Sequence, residues 1–181
     1  MSTLKVDTIQ GKTTAGTVAI TGHVVQVQYF QLTTTQTETI SSADTDQAIS
    51  NFTVNITPTS TSSIIKLEAQ LFFESANAPH NSIYFFFRDS TKLAHTESAG
   101  SRRVGIAVPT LSYYDDDSAS TPEMVHMGYF DAPSSTSAIA YKLGVNTVAT
   151  NNLFINRTVL NHDTSGYERG VSWISATEIA Q

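Results

Sequence analysis

The sequence predicts an all-β fold, a jelly-roll-like antiparallel β-sandwich over residues 23–181, preceded by an extended arm over residues 1–22. Three observations predict it. Apolar residues recur at every second position in run after run, which is the period of a strand with one buried face. Clusters of Ser, Asn, Asp, Gly and Pro separate the runs at roughly even spacing. No window sustains the i, i+3, i+4, i+7 apolar spacing of an amphipathic helix.

The arm comes first. It holds only three charges and has turn glycines at 11, 16 and 22. Alone it cannot bury Leu4, Val6, Ile9, Val18 and Ile20, so it reads either as a disordered tail or as an assembly arm that orders against a partner or a second copy. The segment Val24–Leu32 begins with apolar residues at odd positions (Val25, Val27, Tyr29) and then moves them to even ones (Phe30, Leu32). A bulge at that crossing would swap the faces. Next, Phe52, Val54 and Ile56 alternate with Thr53 and Asn55. Ile65, Leu67, Ala69, Leu71 and Phe73 alternate with Lys66, Glu68, Gln70 and Phe72. Ile83, Phe85 and Phe87 alternate with Tyr84, Phe86 and Arg88, and Val125, Met127 and Tyr129 with His126 and Gly128. Ile139, Tyr141, Leu143 and Val145 form a further run, Leu153 and Ile155 follow, and Val171 and Trp173 start the last strand. The first and last strands are expected to lie close together.

Two of these runs carry large residues on both faces, Ile83–Phe87 and Met127–Phe130. A strand of a two-layer sandwich buries only one face, so the other needs a cover such as a second subunit. Phe85, Phe86, Phe87 and Tyr129 are therefore expected at a subunit interface. Arg88, Arg157 and Glu178, charges in or beside apolar strands, are expected there too, because an interface ion pair fixes registry.

Composition narrows the function classes. The chain has 21 Ser and 26 Thr in 181 residues, and only 14% of residues are charged. Soluble domains average roughly 25%, so this surface is wetted by hydroxyls and amides more than by ions. Ten basic residues against sixteen acidic ones leave a net charge of −6, and the one adjacent basic pair is Arg102-Arg103. That argues against a reader of nucleic-acid backbone. With no cysteine there is no disulfide, thiolate zinc site or iron–sulfur cluster. No apolar run approaches the roughly 18–20 residues of a membrane span. Met1–Ile20 lacks the basic start and apolar stretch of a secretion signal.

Catalytic and cofactor signatures are missing as well. There is no Gly-x-Ser-x-Gly, Walker loop or Gly-x-Gly-x-x-Gly, and the five histidines are scattered. No catalytic residue, metal ligand or cofactor is expected. Asp115-Asp116-Asp117 reads as a solvated loop, since adjacent side chains of an extended segment point apart. Acids that might meet as a glycosidase pair are present, but nothing in their spacing selects two of them.

At this point a resemblance emerges. Ser2-Thr-Leu-Lys-Val-Asp-Thr-Ile-Gln followed by Val24-Val-Gln-Val-Gln resembles the start of tail-fibre-like, fibre-knob virion proteins of marine, cyanophage-type tailed bacteriophages. The likeness continues through Ile56-Thr-Pro-Thr-Ser-Thr-Ser-Ser-Ile-Ile-Lys-Leu and Phe87-Arg-Asp-Ser-Thr. It runs on through Tyr129-Phe-Asp-Ala-Pro-Ser-Ser-Thr-Ser-Ala-Ile-Ala-Tyr-Lys and Ile155-Asn-Arg-Thr. It closes with Arg169-Gly-Val-Ser-Trp-Ile-Ser-Ala-Thr-Glu-Ile. The blocks follow the family's order and span nearly the whole chain. The resemblance implies an N-terminal attachment arm that docks onto other virion proteins. It also implies a knob similar to the tumour-necrosis-factor/complement jelly roll, typically a homotrimer. One departure is the absence of a shaft between arm and knob. The family pattern supplies no catalytic residues.

The expected function is thus a non-enzymatic virion part, a short trimeric fibre or knob that contacts a host surface glycan or protein, with no membrane insertion. The alternative is an architectural capsid, neck or tail decoration, or a clamp, with no receptor role. A receptor face is expected on loops distal to the arm. The candidates are Asn77, His80 and Asn81, then Tyr113, Tyr114, Asp115 and Asp116, then Asn161, His162 and Tyr167, chosen for polar and aromatic content.

Overall fold

In the computed structural model the described residues are 20–76, 81–97, 100–109 and 120–181. They form ten strands and, among the described residues, no helix. The strands are β1 (Val24–Leu32), β2 (Gln36–Ile40), β3 (Gln47–Ile56), β4 (Ile64–Ser75), β5 (Ile83–Arg88), β6 (Thr91–Leu93), β7 (Glu123–Asp131), β8 (Ile139–Asn146), β9 (Asn151–Ile155) and β10 (Ser172–Ile179). All pairings are antiparallel.

A larger sheet has the order β1-β10-β4, with β7 on the far side of β4. A smaller sheet has the order β3-β8-β5-β6. Without β2 and β9, the chain order reads 1-8-3-6 in one sheet and 2-7-4-5 in the other. That is the strand order of a jelly roll, and it places the first and last strands side by side. β9 takes up the β10 side of β4 beyond Gln70, and β2 pairs with β9.

The core lies between the sheets and follows the predicted alternation. Ile65, Leu67, Ala69, Leu71 and Phe73 of β4 meet Phe52, Val54 and Ile56 of β3 and Tyr141, Leu143 and Val145 of β8 in one buried cluster. Asp131 of β7 links the two sheets. It accepts hydrogen bonds from Arg88 Nη1 (3.0 and 3.2 Å) and from the Tyr141 hydroxyl (2.6 Å). Burial, then the Asp131 contact, raise the Tyr141 pKa well above its ordinary value.

A break runs across the larger sheet where β1 gives way to β2 and β9 to β10. Asn156 fills it. The residue is buried in a left-handed conformation (φ 60°), and its Nδ2 donates to the Leu32 and Thr34 carbonyls at 2.7 and 2.9 Å. Its Oδ1 accepts from the buried Ser172 hydroxyl at 2.7 Å, and the Phe72 N–H donates to that same hydroxyl oxygen. Gly170 lies against this seam so closely that a Cβ there would stand 2.2 Å from the Phe72 ring. An Asn-x-Thr sequence at 156 therefore serves the fold.

Three expectations are corrected here. The bulge in β1 lies at Val24/Gln26, not at the Tyr29–Phe30 crossing. From Gln26 onward the register is regular, so Phe30 and Leu32 pack on the core while Val27 and Tyr29 point outward. Phe85 and Phe86 are fully buried within the chain, Phe86 in the core and Phe85 on the outside of the smaller sheet, so neither offers a surface to a second copy. Tyr129 packs against the core, and the outward residue of that pair is Phe130.

Candidate functional site

Three buried glutamates organise the ends of the sandwich. Each accepts a backbone N–H outside the regular ladders, from a loop for Glu178 and Glu74 and from the register shift of β3 for Glu38, the kind of group that needs a partner once buried. Glu178 of β10 accepts from Thr59 N, Thr59 Oγ1 and Ser63 Oγ, all at 2.7 Å, and from Gln26 Nε2 at 2.7 Å. Burial pushes this carboxyl upward. The donors of Gln26, Ser63 and Thr59 more than reverse that and hold it below the ordinary carboxylate range. Glu38 of β2 accepts from Ser50 N, Gln47 Nε2 and Gln36 Nε2. Glu74 of β4 accepts from Thr121 N (2.9 Å), Thr121 Oγ1 and Val159 N. None of the three has a cationic partner among the described residues.

Glu178 and Glu74 mark opposite ends of the larger sheet. β4 starts at Ile64 beside Ile179 and ends at Ser75, about 36 Å away for a twelve-residue strand. The entry to β1 is clamped at the Ile64 end, where Gly22 N donates to the Ala180 carbonyl and Ala180 N to the His23 carbonyl. The loops that Glu74 ties, 120–122 and 156–171, lie at the Ser75 end. Among the receptor-loop candidates, His162 stacks on Tyr167 there (centroids 5.1 Å apart, planes at 25°), with Asn161 exposed beside them. Asn81 is exposed just before β5, at the same end, with φ 63°. Asn77, His80, Tyr113, Tyr114, Asp115 and Asp116 lie outside the described residues, as do Leu4, Val6, Ile9 and Val18 of the arm. Ile20, the arm residue that is described, is exposed.

The interface candidates divide. Phe87 is half-buried against Phe85, edge to face at 5.1 Å. Arg88 pairs with Asp131 within the chain and stays partly exposed, whereas Glu178 is fully buried among its hydroxyl and amide donors, which corrects the expectation that it faces a second subunit. Arg157 is half-buried. Its guanidinium donates to the Thr158 and Val159 carbonyls and to Thr37 Oγ1 and lies 4.2 Å over the Phe154 ring. Burial, and then Arg169 nearby, lower its pKa.

The outer face of the larger sheet holds what sequence reasoning missed. The register sets Val27, Thr177, Lys66 and Phe130 in one row across β1, β10, β4 and β7, and Tyr29, Ser175, Glu68 and Gly128 in the next. Tyr29 is 74% exposed, Phe130 65% and Val27 51%, with Met124 also exposed on β7. Between these apolar margins lie the Lys66–Glu68 ion pair (2.9 Å) and Trp173, whose ring meets His126 edge-on. The signal for Phe130 was present in its parity, one residue beyond Tyr129.

Among the described residues no group of three or more His, Asp or Glu is placed to hold a metal ion, and no helix is long and apolar enough to cross a membrane. The sequence matches no known protein-family model and no curated protein.

Proposed function

We propose that this chain is a non-enzymatic structural protein of a tailed-bacteriophage virion, a short homotrimeric fibre or knob. Its arm, residues 1–22, attaches it to other virion proteins, and its far end meets a host-cell surface glycan or protein. The observation that carries this reading is the outer face of the larger sheet, which no described residue covers. Its two apolar margins differ, Val27 and Tyr29 on one edge strand and Met124 and Phe130 on the other. A margin that meets the unlike margin of the next copy makes a head-to-tail contact, and three such contacts close a ring. Among the described residues β1 is a long edge strand, the kind that invites open-ended pairing unless an assembly closes. The jelly-roll strand order and the placing of arm entry and distal loops at opposite ends support the same reading. A ring of this kind presents three copies of each distal loop together, so weak single contacts add up.

Light scattering at micromolar and then nanomolar concentration tests the assembly. The expected mass is three times 19.6 kDa, about 59 kDa, and it resists dilution. A mass near 20 kDa at both concentrations rejects the trimer. Deleting residues 1–22 tests the division of labour. The shortened protein should still bind host cells and should lose its place on the virion. The architectural reading, a capsid, neck or tail decoration or clamp, predicts no cell binding by either form.

A further inference from the structure

Asn156 and Gly170 both lie on Phe72 of β4. Asn156 N donates to the Phe72 carbonyl at 2.9 Å, and Gly170 rests on the Phe72 ring. The loop between them therefore leaves and rejoins the larger sheet at one point, near the Ser75 end of β4. The residue after Asn156 is Arg157, and the residue before Gly170 is Arg169. Closing the loop sets these two arginines beside each other, and their like charges meet. Burial first, and then Arg169, lower the Arg157 pKa.

Arg157 is held in place. Its guanidinium lies 4.2 Å over the Phe154 ring and donates to the Thr158 and Val159 carbonyls and to Thr37 Oγ1 at 3.1–3.2 Å. Those bonds take three of its five N–H groups. Arg169 is exposed and has no hydrogen bond or ion pair among the described residues. Elsewhere Lys66, Arg88, Lys92 and Arg103 each reach a carboxylate. Asp163 and Glu168, the acids of the same loop, are exposed and pair with neither arginine. A chain of net charge −6 thus holds two guanidinium groups together and supplies no carboxylate to either.

We propose that the Arg157–Arg169 pair binds an anionic group, a carboxylate or a phosphate, of a host-surface glycan. A metal ion would be repelled by both arginines. A neutral sugar would find N–H donors and leave the two charges unrelieved. An anion between them accepts from both guanidinium groups and offsets their repulsion. The inference rests on the reading that this end of the sandwich meets the host. One such contact in water is weak, which suits a surface engaged by several copies at once.

The test is an NMR titration of the full chain with sodium D-glucuronate and with methyl phosphate, at constant ionic strength. The Nε–H signals of Arg157 and Arg169 are followed, with sodium chloride and methyl D-glucoside as controls. At least one of the two anions should shift both signals, and which one does separates carboxylate from phosphate recognition. Arg169→Gln should weaken that anion at least fivefold. Arg169→Lys, which keeps the charge and loses the planar fork, should weaken it at least twofold. No response beyond that to chloride overturns the proposal, as does an equal response to the glucoside or binding that Arg169→Gln leaves unchanged. A fall in the mass of the assembly with Arg169→Gln would assign the pair to a neighbouring copy's carboxylate and overturn it too. Cell binding is measured alongside. A chain that takes the anion and binds no cells overturns the assignment to a host glycan, and with it the host-contact reading. A chain that binds cells and takes neither anion overturns the site alone.

Discussion

The outer faces of the two sheets began from the same sequence pattern and ended differently. On the smaller sheet, Phe85 points away from the core and is nonetheless fully buried, under Phe87 and under Lys92, whose Nζ lies 4.0 Å over the ring. Gly144 on the neighbouring strand leaves the room for it, since a Cβ there would stand 2.5 Å from the Phe85 ring. On the larger sheet, Tyr29 and Phe130 point away from the core and nothing in the chain covers them among the described residues. An aromatic on the outer side of a sandwich is thus not by itself a sign of a partner. It becomes one only where the chain's own loops and flexible side chains fail to reach it.

The sharpest way to break this comparison is to charge the uncovered face. On the proposed trimer, Tyr29→Glu combined with Phe130→Glu should take the mass in light scattering from about 59 kDa to about 20 kDa and leave the unfolding of the monomer nearly unchanged. Next comes a matched pair of glycines. Gly144→Ala forces a methyl into the Phe85–Phe87 contact and should cost about 1–3 kcal/mol in urea unfolding. Gly128→Ala, on the uncovered face, meets Leu67 O at 3.5 Å, an ordinary contact, and should change stability by less than about 0.5 kcal/mol. Equal costs would show that both faces are packed alike. Two lysines give a smaller contrast. Lys92→Met removes a charge over an aromatic ring and should cost about 0.5–1 kcal/mol. Lys66→Met loses only the half-exposed pair with Glu68 and should fall under about 0.5 kcal/mol.

Glu178 sets the interior against both faces. Its carboxyl is lowered in the folded chain, so its contribution is present above the unfolded pKa, about 4.3. That contribution is lost as pH falls through the folded value. Glu178→Gln should therefore cost about 1–3 kcal/mol at pH 7. The gap to the parent protein should close on acidification, read as thermal midpoints down a pH series. A gap that persists in acid would show that the carboxylate's charge is not what holds Thr59 and Ser63.

Much of the fold was legible in the sequence, because a two-layer sandwich writes its period directly into the chain. The alternation along Ile65–Phe73 and Ile139–Val145 is the core as observed. Less legible was which face a strand turned inward once a bulge intervened. Val27 and Tyr29 read as core because the register shift at Val24/Gln26 has no residue that announces it. The fate of the outward aromatics was not legible at all. Lys92 covers Phe85 from another strand, and no local pattern records that reach. The buried glutamates were half legible. Glu178 continues the inward series of Ile174 and Ala176, which marks it as buried. Its donors at Thr59 and Ser63 lie more than a hundred residues away in the chain. The candidate loops could be named by composition, but their common end follows only from the course of β4.

The way the three glutamates are held has a consequence for the medium in which this protein works. Their partners are amides and hydroxyls, so the attraction is between an ion and fixed dipoles at contact distance. Dissolved salt screens charges from one another over a Debye length of about 10 Å at 0.1 M. It has little purchase on a bond already closed inside the sandwich. A chain poor in ionic pairs thereby keeps its loops anchored alike in dilute and in saline water, and its tolerance of brine should far exceed its tolerance of acid.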